Sequence, residues 1–306
     1  METGTTRVWR PAWPCPVASV LGQQRRGAGD PTQRTDDAGA VWRATRTPEG
    51  PATLRVEERP REAVVVGTAW GPGAAWALET MPALLGSQDD PSGFEARHPA
   101  VSAGLRAAPH WRLGRTGRVM EALVPSILEQ KVTGKQAFSS FRQLVQRHGD
   151  RAPGPVEDLR LRLQPEPATI AAIPSWEWLR LGVDPARSRT VVTVCRVADS
   201  VERIAAAPDQ ADRRLRSLPG IGVWTSAEVR QRALGDPDAV SFGDYHLANH
   251  VGWAIFGHDI SDDELAEVLE PYRPQRGRAA VMACAGGPRR PRRGPRMSVP
   301  THLPVP

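Results

Sequence analysis

The chain has 306 residues, with 40 basic against 34 acidic, a formal net charge of +6 and a pI near 10.0. That length accommodates one large or two ordinary domains and excludes a disulfide-stapled miniprotein. A mean hydropathy of -0.41, with no apolar run near the roughly 18 residues a membrane helix needs, points to a soluble protein with no membrane partner.

Near the start, prolines interrupt the apolar stretch around residues 11–22 and no clean small-residue cleavage site follows, so a cytoplasmic location is expected. The three cysteines, Cys15, Cys195 and Cys284, are odd in number and far apart, which argues against a disulfide framework and against a four-cysteine metal or iron–sulfur site. No metal and no cofactor are expected. Lys131 and Lys135 are the only lysines, so the basic charge is almost all arginine. Arginine is the better fork for phosphate, and the bias is compatible with nucleic-acid binding without demonstrating it.

Residues 1–38 are rich in Pro, Gly, Arg and Thr with little periodicity, and are expected to form a flexible extension with room for a first strand. Strands are predicted over 40–46, 52–57 and 63–70, separated by turn residues; the first two alternate, which gives each one wet face. An Ala- and Leu-rich run from Ala74 to Leu85 reads as a helix covering the sheet. Residues 39–110 are thus expected to be a small α+β domain with its linker.

Beyond His110 the apolar residues recur at helical steps: Val119, Met120, Leu123, Val124, Ile127, Leu128 and Val132, then Phe138, Phe141, Leu144 and Val145. Further helices are predicted near 156–163, 167–172, 186–206, 210–217, 224–234, 245–256, 262–269 and 276–284. No fixed period emerges, so residues 111–285 are expected to be one irregular all-helical domain. Residues 286–306 hold five arginines among prolines and glycines, and are expected to be a disordered basic tail.

The most informative stretch is Leu218-Pro219-Gly220-Ile221-Gly222-Val223-Trp224-Thr225. A glycine-bracketed turn between two helices, with Ile221 as its plug, presents consecutive backbone N–H groups at a helix start, which suits a phosphate oxygen. An ordinary tight corner between helices would use similar residues. Asp244 stands 22 residues past Gly222, at the end of Val240-Ser241-Phe242-Gly243 and at the start of a helical run. It could serve simply as a helix cap.

These residues resemble the helix-hairpin-helix DNA glycosylase superfamily. Asp244 matches the position of its catalytic aspartate, and Ile127-Leu128-Glu129-Gln130 resembles the helix before the hairpin in the DNA-3-methyladenine glycosylase II branch. The resemblance covers about residues 40 to 285. It implies a mainly α protein, a helix-hairpin-helix glycosylase fold preceded by a small α+β domain with an antiparallel sheet. It also implies a base-excision DNA repair enzyme acting on alkylated purines such as 3-methyladenine, flipped out of double-stranded DNA carrying damaged bases, by a monomer. Bifunctional relatives carry a lysine two residues after the second hairpin glycine; here it is Trp224, and hydrolysis without strand cleavage follows. Relatives with an iron–sulfur cluster carry four cysteines after the catalytic helix, where this chain has only Cys284.

On this reading Asp244 is catalytic, because a carboxylate beside C1′ stabilises the sugar cation and can orient water. Leu218, Pro219, Gly220, Ile221, Gly222 and Thr225 form the DNA-binding hairpin. Trp224, Tyr245, Trp111, Trp176 and Trp178 are the candidates for stacking on the base, although core packing or a surface wedge is the more common use of Trp176 and Trp178. Gln275 departs from the tryptophan the family usually shows there. Arg112, Arg115, Arg118, Arg273, Arg276 and Arg278 could meet phosphate, as could Lys131 and Lys135, four apart on one predicted helix face. His246, Asn249 and His250 lack a convincing third ligand for a metal. Two other readings stay open: a non-catalytic DNA-binding or lesion-sensing protein, and a glycosylase for another damaged or mismatched base.

Overall fold

A computed structural model describes residues 3–291. Five strands, β1 (Thr5–Trp9), β2 (Gln33–Thr35), β3 (Val41–Thr47), β4 (Gly50–Arg59) and β5 (Val64–Trp70), form one antiparallel sheet in the order β1-β5-β4-β3-β2. Helices α1 (Val17–Gly22) and α2 (Ala74–Leu84) cover one face, where Val17, Leu21, Leu54, Val56, Leu78 and Met81 are buried together. Gly67 lets α2 sit close, since a Cβ there would lie 2.5 Å from the Met81 sulfur.

Three expectations are corrected here. Residues 3–38 are not a flexible extension: besides the first strand, β1, which pairs with β5 from Thr5↔Ala69 to Trp9↔Val65, β2 pairs with β3, and Cys15, Val17 and Leu21 enter the core. The segment is short of periodicity because each piece contributes only a few residues to a surface built by others. Nor does β3 keep a wet face. Trp42 stacks on Trp70, with centroids 5.2 Å apart and planes 8° from parallel, and Ala152, Val156, Leu161 and Leu163 pack on that pair. The last three come from the stretch expected to be a helix at 156–163, which is instead part of an irregular loop closed by an antiparallel bridge between Arg151 and Arg162. The apolar residues are recruited by the tryptophans and not by a helix of their own.

The helical region comprises α3 (Pro99–Ala107), α4 (Val119–Leu128), α5 (Gly134–His148), α6 (Pro167–Ala172), α7 (Ser175–Arg180), α8 (Pro185–Arg196), α9 (Ala198–Glu202), α10 (Ala211–Arg216), α11 (Val223–Val229), α12 (Leu247–Phe256), α13 (Asp262–Leu269) and α14 (Arg276–Gly286). The helix expected over 186–206 breaks at Val197, whose φ of -120° and ψ of 25° leave the helical region. A π-helical turn, Arg230–Leu234, continues α11. Leu123, Ile127, Leu144, Val191 and Leu215 centre one core, made by α4 to α11. A second core joins α3 to α12, α13 and α14. Helix α3 therefore belongs with the helices and not with the linker ending at 110. Gly104 explains the close seat, since a Cβ there would lie 2.0 Å from the Met282 carbonyl oxygen. The basic tail assigned to 286–306 lies largely outside the described residues; within them, α14 ends at Gly286 and Arg290 pairs with Asp259 at 2.5 Å.

The sheet and helices are tied by charge. Arg43 and Thr45 on β3 meet Glu121 on α4 at 2.5 and 2.8 Å, and Arg26, from the segment between α1 and β2, meets Glu129 at 2.7 Å. Arg26 and Glu129 are both largely buried, so removing either would strand the other's charge.

Candidate functional site

The hairpin runs from Ser217 to Gly222 between α10 and α11. Gly220 has φ +82°, a conformation an L side chain rarely adopts, and a Cβ on it would lie 2.4 Å from Thr190 Oγ1. Gly222 is different. Its φ of -99° and ψ of -174° suit any residue, and a Cβ there would meet nothing within 4 Å. Glycine at 222 answers no demand of the folded chain itself. Ile221 is buried as the plug, whereas Pro219, Gly220 and Gly222 are exposed at the tip and Leu218 packs partly on the core.

Thr225 does not face outward as the sequence reading expected. It is 2% exposed and accepts a 2.8 Å hydrogen bond from Gln130 Nε2, which also donates to the Gly220 carbonyl at 3.0 Å. Gln130 thus staples the hairpin to the end of α4 through two acceptors at once. Neutral hydrogen bonds of this kind contribute about 1 kcal/mol each. Lys131, next in the chain, is exposed with φ +54° in the turn before α5, so it and Lys135 do not share a helix face.

In the first turn of α11, just after the hairpin, Trp224 meets Asp244 in the loop before α12. Trp224 Nε1 donates to Asp244 Oδ2 at 3.0 Å, while Oδ1 accepts from the backbone N–H groups of His246 and Leu247 at 2.8 and 3.0 Å. The carboxylate is therefore a cap for α12 and, with both oxygens engaged, a fixed negative charge. The capping use weighed from sequence is met by the two backbone contacts, and the Trp224 contact holds the other oxygen in place.

Asp244 lines a cavity of about 190 Å³ together with Glu228, Gln231, Val240, Ser241, His250 and Gly277, between α11, the 240–247 loop and the first turns of α12 and α14. Such a volume is below the ~300–1,000 Å³ of drug-sized pockets and suits one small ring system. Of the five aromatic candidates, none belongs to the cavity wall. Trp224 stands beside it through Asp244, and Tyr245 is 80% exposed. Trp178 is a core residue at 2% exposure, and Trp176 lies on the surface under the Arg180 guanidinium, 4.8 Å away. Trp111 packs on Arg278, 5.4 Å from its ring.

Arg278 itself is fully buried in an ion pair with Asp89, and its Nε donates to Gln275 Oε1 at 2.6 Å. Gln275 is thus one arm of a buried polar network, at the position where the resemblance led to an expected tryptophan. Arg276 and Arg273 are likewise engaged with Asp238, Arg118 with Glu202, and Arg112 with the Asp89 carbonyl, so these arginines hold structure together. His246 and His250 stack with centroids 5.4 Å apart, and no group of three or more His, Cys, Asp or Glu among the described residues is arranged to hold a metal ion.

Sequence reasoning missed Glu228. It sits in the cavity wall, with Oε1 accepting from Ser241 at 2.6 Å and Oε2 from Arg232 at 3.0 Å. Its place one turn after Trp224 on the same helix was the available signal.

No protein-family model matches the chain. Over 152 residues, 49% of this chain, it is 33% identical to a "Probable bifunctional transcriptional activator/DNA repair enzyme AlkA" of Mycobacterium tuberculosis, and the match spans 30% of that relative's length. Among solved structures, a 3-methyladenine DNA-glycosylase from Archaeoglobus fulgidus superposes with a TM-score of 0.71 at 16% identity, covering 91% of this chain and 97% of the other. An 8-oxoguanine glycosylase/lyase from Clostridium acetobutylicum gives 0.70 at 10% identity, covering 94% and 99%. These structural likenesses establish the fold.

Proposed function

We propose that the chain is a helix-hairpin-helix DNA glycosylase of the 3-methyladenine glycosylase II branch, a monofunctional enzyme that hydrolyses the N-glycosidic bond of alkylated purines extruded from double-stranded DNA. The observation that carries the reading is the contact between Trp224 and Asp244 at the edge of the cavity. It joins the hairpin, which suits a DNA backbone, to a carboxylate whose position is fixed from two sides.

In this mechanism the exposed tip at Pro219, Gly220 and Gly222 offers backbone to a phosphate and anchors the strand without reading its sequence. The nucleotide leaves the stack and its base enters the cavity. As the base departs, positive charge grows at C1′, and the Asp244 carboxylate, already oriented by Trp224 and the α12 backbone, stabilises it without reorganising. The same carboxylate orients the water that completes hydrolysis. Trp224 carries no amine able to form a Schiff base, so the product is an intact strand with an abasic site.

The test is base release from duplex DNA carrying 3-methyladenine or 7-methylguanine. Wild type releases free base without cutting the strand, and Asp244→Asn does not. Release by neither protein, or strand scission without added base or heat, overturns the reading.

A further inference from the structure

We propose that Glu228 is the residue that makes the cavity selective for a positively charged base, acting by charge where aromatic stacking was the expected device. The inference deepens the glycosylase reading and rests on it for the identity of the ligand as a base.

The wall contains two carboxylates, Glu228 and Asp244, and no lysine or arginine. It also contains no tryptophan, tyrosine or phenylalanine, so cation–π attraction from the wall is absent among its lining residues. His250 does not offset the acid, because burial, reinforced by the adjacent His246, pushes its pKa below the ordinary histidine value and favours the neutral ring. Glu228 is held in place by Ser241 on Oε1 and by two N–H groups of Arg232 on Oε2, so its charge is shared with one arginine while Oε1, with a single donor, keeps acceptor capacity. Burial pushes its pKa up, but Arg232, the Ser241 hydrogen bond and Arg26 outweigh it and hold the group below the ordinary glutamate value, so it is ionised at neutral pH. A fixed anion in a partly enclosed wall favours a cation over a neutral molecule of the same shape, since the interaction is screened less there than in water. An ionised carboxylate is also acceptor-only, and disfavours a base edge that offers only acceptors.

A rival role exists. Glu228 could merely brace the 240–247 loop through Ser241, and so position Asp244. The two roles separate by selectivity. Titrate the full chain with 7,9-dimethylguaninium, a permanent cation, and with 9-methylguanine, its neutral counterpart. In parallel, measure release of 7-methylguanine and of the neutral base hypoxanthine from duplex DNA.

The expected result is that wild type prefers the cation, that Glu228→Gln reduces cation binding and 7-methylguanine release by roughly tenfold or more while changing the neutral partners by less than about threefold, and that Glu228→Asp retains the preference. Wild type binding the cation no better than its neutral counterpart, or Glu228→Gln lowering both classes equally, overturns the proposal. A charge preference intact in binding but with no base released by wild type leaves the proposal standing and sinks the glycosylase reading, so the two failures are distinguishable.

Discussion

Asp244→Asn is the substitution that separates a reactive carboxylate from a capping one. Asparagine caps helices about as well as aspartate, so a residue that only starts α12 should tolerate it. Here the exchange has a second consequence. Both carboxylate oxygens accept hydrogen bonds, one from Trp224 and one from two backbone N–H groups. An amide offers a single oxygen, so either the indole N–H or the α12 backbone faces an NH2 group that cannot accept. Leaving a part-buried donor unsatisfied costs about 1–3 kcal/mol of stability. The catalytic loss is larger. A unit charge about 4 Å from a developing cation, at an effective dielectric near 20, is worth ~4 kcal/mol, or roughly three decades in rate. Single-turnover release of 7-methylguanine under saturating enzyme isolates that term from DNA affinity. A fall of less than about tenfold, with the melting temperature down as expected, would refute the catalytic role and leave only the cap.

The two hairpin glycines make a paired prediction. Gly222→Ala should leave stability within ~0.5 kcal/mol, because its backbone angles and surroundings accept a methyl group, yet weaken DNA binding about tenfold in a filter or anisotropy titration; unchanged affinity means that DNA does not approach this turn. Gly220→Ala should cost ~1–2 kcal/mol in the free protein from its positive φ alone, with the Thr190 contact added, and denaturant melts give the value. Gln130→Leu removes both staples on the hairpin and should cost about 2 kcal/mol while lowering DNA affinity; loss of neither contradicts the stapling role. Acid stability should depend on Asp238. Burial pushes its pKa up, but hydrogen bonds and charge from Arg276 prevail and hold it below the ordinary aspartate value. A depressed folded-state pKa stabilises above the unfolded pKa, and that contribution is lost as pH falls through the folded value. Thermal melts between about pH 6 and pH 3 should therefore decline less steeply for Asp238→Asn than for wild type.

Much of the helical region could be read from residues alone, because helices that bury one face must repeat their apolar residues every three or four positions. Strands β3 to β5 and helices α2, α6, α10, α13 and α14 fall within a few residues of the expected spans. What escaped has a common cause: partners distant in sequence. Val17 and Leu21 are core only because β3 to β5 give them a surface, and Val156 and Leu161 only because Trp42 and Trp70 stand opposite. The same holds at the site. Asp244 and the hairpin are legible, since a glycine turn and a cap leave local signatures. Thr225 was expected at the DNA and is buried under Gln130, 95 residues earlier in the chain. Gln275 marks a departure in sequence, but that it serves Arg278 and Asp89 follows only from their meeting in space.

Helix α11 is short, yet it carries the connections from which function would follow. Trp224 reaches Asp244, Thr225 accepts from Gln130 after α4, Ser226 donates to Asp212 on α10 at 2.7 Å, and Glu228 accepts from Ser241 in the loop that bears Asp244. The side that seats the hairpin and the side that holds the carboxylate are thus faces of one rigid element. A displacement of the tip by a bound strand would be passed to Asp244 through the Trp224 and Glu228 hydrogen bonds. It follows that hairpin and carboxylate act as a unit: a substitution such as Gln130→Leu, far from the cavity wall, should slow base release even when DNA is saturating, and should do so less than additively with Trp224→Phe, since both loosen the same helix.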